Sequence, residues 1–97
     1  MTTIAKRPQE LIDTMTQVRT LLSRSAKSLY AESEPTDIIA ILDTNIQTLS
    51  ENGSYSRGDL ILLFAPTGDI QDTSIENGWG EQFIALSEKF DKLVESK

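Results

Sequence analysis

Cysteine and histidine are both missing from this chain. Without cysteine there is no disulfide, no thiolate nucleophile and no thiolate metal ligand. Any redox compartment is permitted, and the cytoplasm is the default expectation. Without histidine, the commonest general base and the commonest transition-metal ligand are gone as well. No apolar run approaches the roughly 18 residues of a membrane span, so no membrane association is expected. The opening Met1-Thr2-Thr3-Ile4-Ala5-Lys6-Arg7-Pro8 has charges but no apolar stretch after them, so it does not read as a signal peptide. Bases are scarce where acids are dense. Residues 31–88 hold eleven acids and one base, Arg57, a net −10. Residues 1–30 hold five bases and two acids (+3) and residues 89–97 three and two (+1), which gives −6 overall. An acidic middle is repelled by nucleic acid and by anionic lipid. The partner it favours is another protein with a basic surface.

What is present is a regular apolar pattern. The 97 residues are expected to form a single helical domain over 1–97, burying about 65% of the surface of the unfolded chain. The most apolar stretch, Leu60-Ile61-Leu62-Leu63-Phe64-Ala65-Pro66-Thr67-Gly68, is expected at the buried centre, because exposed it would be a sticky patch. Ser56 and Asp59, three apart, resemble a capping box and predict a helix over 57–65. A continuous apolar run is ambiguous by period, so the alternative is an α+β fold with a strand at 59–65. Helix is preferred because no second strand is evident to pair with it, and a lone strand leaves backbone groups unbonded.

The remaining helices follow from spacing. Leu11, Met15, Val18, Leu22 and Leu29 recur at helical steps, with Ser25 in the missing slot, and predict a first helix over 8–31 opened by Pro8. Its 24 residues would span about 36 Å, against a radius of gyration of about 12–13 Å for a domain of this size. That excess length suggests a homodimer seam along helix 8–31. Arg19, Arg24 and Lys27 read as its solvated face. After Pro35, with Thr36 as the expected N-cap, Ile38, Ile39, Ile41, Leu42, Ile46 and Leu49 predict a helix over 37–51 ended by Asn52-Gly53. Segment 69–76 suggests one or two helical turns stopped by Asn77-Gly78. Trp79, Phe83, Leu86, Phe90 and Leu93 predict a last helix over 80–95, with Glu88 and Lys92 as an i,i+4 pair. The fold class expected is all-α: an antiparallel bundle of four main helices plus a short helical turn. Its core is drawn from Leu11, Met15, Val18, Leu22, Ile38, Leu42, Ile46, Leu49, Leu60, Leu63, Phe64, Phe83, Leu86 and Phe90.

The residues that stand out for function lie between 66 and 81. Asp69, Asp72, Glu76 and Glu81 have no base between them, and a set of carboxylates is the material of a hard-cation site. The EF-hand spacing is not met, since Gln71, Thr73 and Ser74 fall where two ligands and a glycine belong. Gly78-Trp79-Gly80 lacks the third glycine and the preceding strand of a dinucleotide fingerprint. Trp79 is either an exposed interface anchor or, by its register with Phe83, a packed residue at the start of the last helix. No serine sits in a nucleophile elbow. The expectation is a non-enzymatic protein with no catalytic residues, no cofactor and no metal. Asp69, Asp72, Glu76, Trp79 and Glu81 are its candidate partner-binding residues. A small-molecule or cation site in the 66–81 loop is an alternative.

The runs Leu63-Phe64-Ala65-Pro66-Thr67-Gly68-Asp69 and Asn77-Gly78-Trp79-Gly80-Glu81, set in this order of helices, resemble small uncharacterised bacterial helical proteins. In size, charge and helical class the chain is also similar to immunity proteins that neutralise basic nuclease toxins. That likeness implies an immunity or antitoxin-type inhibitor that docks on a basic partner.

Overall fold

The computed structural model describes residues 2–26, 29, 33–66 and 68–94. Among them the chain runs β1 (Thr3–Ile4), α1 (Pro8–Ser23), α2 (Pro35–Asn52), β2 (Ser54–Tyr55), α3 (Arg57–Phe64), α4 (Asp69–Glu76) and α5 (Gly80–Val94). Pro8 and Pro35 open α1 and α2, where a missing N–H has no helical partner to lose. Gly53, in the left-handed conformation at φ 75°, closes α2 and donates its N–H to the Leu49 carbonyl (3.0 Å).

The all-α expectation holds, and the apolar run is helical. On α3, Leu60 and Phe64 are buried one turn apart, while Leu62 is 73% exposed. Leu11, Met15, Val18 and Leu22 form the buried stripe of α1, which packs against α2 through Ile38, Leu42 and Leu49 and against α5 through Phe83 and Phe90. Phe64 stacks on Phe90 with ring centroids 4.2 Å apart and planes 9° apart. Phe83 lies 6.0 Å from Phe64 and meets Trp79 edge-on at 6.4 Å. Ile46, Leu63 and Leu86 only half-enter this core. Tyr55 and Ile70 join it without having been expected, and Val94 joins it from the apolar face of α5.

Several expectations are corrected. The first helix does not run from 8 to 31. The N–H groups of Arg24 and Ser25 reach back only three residues, to Leu21 O (3.2 Å) and Leu22 O (3.0 Å), and α1 ends at Ser23. Leu29, expected on the stripe, is 90% exposed. At 16 residues the helix is about 24 Å long and fits within the 35 Å long axis of the molecule. The excess length that suggested a homodimer seam is therefore not there. The second helix begins at Pro35, with Glu34 rather than Thr36 at its N-cap. The Ser56–Asp59 pair forms between side chains, Ser56 Oγ donating to Asp59 Oδ2 (2.9 Å), and not as a reciprocal backbone box. Ion pairs among the described residues join Arg7 to Glu10 and Arg19 to Asp43, so the expected Glu88–Lys92 pair is not formed. The end of the expected first helix at 31 and the tail 95–97 lie outside the described residues.

The two-residue strands were not expected at all. Thr3 pairs with Tyr55 and Ile4 with Ser54, antiparallel, and Ala5 N–H continues the ladder to Gly53 O (2.7 Å). This ties the N-terminus to the α2–α3 connection. Among the described residues no helix is long and apolar enough to cross a membrane.

Two measurements check this arrangement. In urea unfolding, Leu60→Ala should cost about 2–5 kcal/mol and Leu62→Ala no more than about 0.5 kcal/mol. A strand would set both residues on one face and make the costs similar. The second concerns Tyr55, whose phenol is raised above its ordinary value by burial, opposed by the charge of Arg57. A raised folded value means that the native state holds this proton more tightly than the unfolded chain. The contribution is complete below about pH 10, the ordinary tyrosine value, and is lost as pH rises through the folded value. Unfolding free energies taken across that range should fall less steeply in Tyr55→Phe than in the parent.

Candidate functional site

Helix α4 is placed by a glycine that has no room for a side chain. A Cβ at Gly68 would lie 2.9 Å from Leu62 O and 3.1 Å from Leu63 O, so the chain passes directly against the last turn of α3. Asp69 follows as the first residue of α4, half-buried, and its Oδ2 accepts the N–H of Ser33 (3.0 Å). At the other end of α4, Glu76 Oε1 accepts the N–H of Leu29 (3.5 Å). Asn77 Oδ1 accepts the N–H of Ala26 (3.0 Å), while its Nδ2 donates to the carbonyls of Ala26 (2.8 Å) and Thr73 (2.9 Å). Trp79 is 5% exposed, and its Nε1 donates to Ser25 Oγ (2.8 Å), whose own proton goes to Leu21 O (2.8 Å).

Three of the five residues singled out in the sequence thus converge on one task. Asp69, Glu76 and Trp79 hold the segment between α1 and α2, each through a hydrogen bond to it. Trp79 is interior, so its ring is not on offer to a partner in this conformation. Asp72 is half-buried, and Glu81 is exposed in the first turn of α5, where a carboxylate suits the helix dipole. Glu81 borders a shallow hollow of about 370 Å³ between α4 and α5, shared with Ile75 and Gln82. Asn77 was read only as a stop signal, although it makes three of the bonds in this clamp. Its signal in the sequence was indirect: Ser25, a polar residue in an apolar slot, implies a polar partner from elsewhere.

The other acids are spread over the surface. Glu34, Asp37, Glu51, Asp59, Glu76, Glu81 and Glu88 are all exposed. Asp43 meets Arg19, which donates to it from both Nε and Nη2, the latter at 3.1 Å, and bridges α2 to α1. The hydrogen bond to Asp43, and then its charge, raise the Arg19 guanidinium above its ordinary value. Among the described residues no three acidic groups gather where they could hold a metal ion. No family model, no curated protein and no solved structure matches the chain.

The clamp predicts the effect of removing Asn77. Asn77→Ala should cost about 0.5–1.5 kcal/mol, because Ala26 is exposed and water can take over its backbone groups, while the half-buried bond to Thr73 O is lost. Amide hydrogen exchange should accelerate at Ala26 while staying slow at Leu42 in the core. An unchanged rate at Ala26 would contradict the clamp.

Proposed function

We propose that the protein is a non-catalytic, cytoplasmic interaction module whose acidic surface docks on a basic protein, in the manner of an immunity or antitoxin-type inhibitor. The observation that carries this reading is the outward spread of carboxylates across 31–88, a segment with net charge −10 and Arg57 as its single base. A spread of exposed like charges is poor material for acid–base chemistry, which needs groups brought close and partly desolvated. It is good material for long-range attraction, which speeds encounter with a complementary surface and excludes like-charged competitors. The clamp supports the reading in a second way. It fixes Ser25, Ala26, Leu29 and Ser33 to α4 and the start of α5, so that part of the surface is presented with less ordering to be done on binding.

The test is calorimetric titration of the full chain against a panel of basic nuclease toxins, with a basic protein lacking nuclease activity as control. Binding should weaken at least about tenfold between low and high salt, because screening shortens the reach of the field to about 10 Å at 0.1 M. It should be tighter for a nuclease than for the control, and it should inhibit that nuclease. Affinity indifferent to salt would count against the acidic surface as the docking element.

A further inference from the structure

A second feature shares no residue with the clamp. Between α2 and the start of α3, beneath the N-terminal strand, is a cleft of about 230 Å³. Its wall is more apolar than polar, and the polar atoms in it come from hydroxyl, amide and carboxylate groups, several of whose hydrogens already point elsewhere. Thr44 Oγ1 donates to Ala40 O (3.0 Å). Thr48 Oγ1 donates to Ser54 O (2.7 Å). Ser56 Oγ donates to Asp59 Oδ2 (2.9 Å). Asn45, only 5% exposed, is fixed at both ends of its amide: Nδ2 donates to Ile41 O (2.9 Å) and Oδ1 accepts the N–H of Ser56 (2.7 Å). A hydroxyl has one proton and two lone pairs. With the proton turned into the protein, what each of these oxygens presents to the cleft is an acceptor. Asp59, exposed in the lining, adds a carboxylate whose Oδ2 accepts from Ser56, with no hydrogen bond to Oδ1 among the described residues. Ile41, 38% exposed, gives an apolar wall, and no base lines the cleft.

A largely apolar wall that carries several acceptor oxygens and one carboxylate suits a ligand with an apolar stem and hydrogen-bond donors at its end. Guanidinium is such a group: planar, always charged, with five N–H donors and no acceptor. An arginine also brings an aliphatic stem that suits an apolar wall such as Ile41, and the cleft has room for one such side chain. We propose that this cleft receives an arginine side chain from the basic partner, with Asp59 pairing the guanidinium and the hydroxyl oxygens of Thr44, Thr48 and Ser56 accepting its remaining hydrogens. The inference rests on the interaction reading above and names the recognition point within it.

The cleft can be probed without a partner. The ¹⁵N-labelled full chain is titrated with ethylguanidinium chloride, with ethylammonium chloride and sodium chloride at matched ionic strength as controls. Shifts should concentrate at the Asn45 side-chain amide and the backbone amides of Thr48 and Ser56, and should be larger for ethylguanidinium than for either control. Asp59→Asn should weaken the response at least about tenfold, since it replaces a charge-assisted pair. Thr44→Val should weaken it as well, and Asp91→Asn, on the exposed side of α5, should leave it unchanged. Shifts scattered over the acidic surface, reproduced by sodium chloride or retained in Asp59→Asn would overturn the proposal. A second arm separates it from the docking reading. If Asp59→Asn binds a basic partner as tightly as the parent and with the same salt dependence, the cleft assignment fails and the acidic surface stands. If no basic protein binds at any salt concentration, both fail.

Discussion

One face of one helix carries this structure. Leu11, Met15, Val18 and Leu22 are essentially withdrawn from water, and they supply the surface on which α2 and α5 both pack. Burial of such side chains is the dominant favourable contribution in a domain of this size. Four adjacent large residues on one stripe concentrate that contribution along a single axis. The aromatic residues then extend the same core sideways. Phe64 brings α3 to α5 by lying flat on Phe90, and Phe83 of α5 lies between Phe64 and Trp79, which meets it edge-on from just before the helix. With the interior filled in this way, most of the excess carboxylates in the middle of the chain have no place but the outside. The negative exterior is therefore a consequence of the packing as much as of the composition.

Polar groups finish what the apolar ones begin. The connection between α1 and α2 contributes no large apolar side chain to the core among the described residues, and Leu29 stands in solvent. What holds it is a set of hydrogen bonds from Asp69, Glu76, Asn77 and Trp79. Each is modest in net terms, but they act at successive points along a short segment. The cleft beside Asp59 follows a similar logic. Asn45 and Thr48 serve the backbone around β2 first, and the direction of their hydrogens leaves an acceptor-lined recess as the remainder.

Much of this was readable from the residues. The helical spacing of Phe83 and Phe90, of Ile38, Leu42 and Leu49, and of the first stripe located α1, α2 and α5, and Gly53 marked the end of α2. The helix at 57–64 was legible because no partner strand was evident, an argument from absence that survived even though two strands do exist. Those strands were invisible because each is two residues long and they lie about fifty residues apart, so neither carries a periodic signal. The first helix was drawn too long because Leu29 happens to fit the spacing. Its true end depends on Asn77 and Trp79, far along the chain, and local pattern does not contain them. Pro35 was recognised as a breaker, but its second role as an opening residue was missed, which shifted the start of α2. The acids at 69 and 76 were picked out correctly as unusual. Sequence alone pointed them at a partner, whereas in the fold both face the chain's own backbone.

Trp79 is the single tryptophan of the chain, and it sits inside the clamp with its indole N–H on Ser25. The intrinsic emission of this protein therefore reports one corner of the molecule. It will register the connection between α1 and α2 lifting away from α5, as solvent reaches the ring and the hydrogen bond breaks. It has no direct view of the recess at Asp59, which lies among α2, α3 and the N-terminal strand. A spectral change on partner binding would therefore signify that occupation of the acidic surface is felt at the indole, and a silent spectrum would signify that the clamp and the recess act independently.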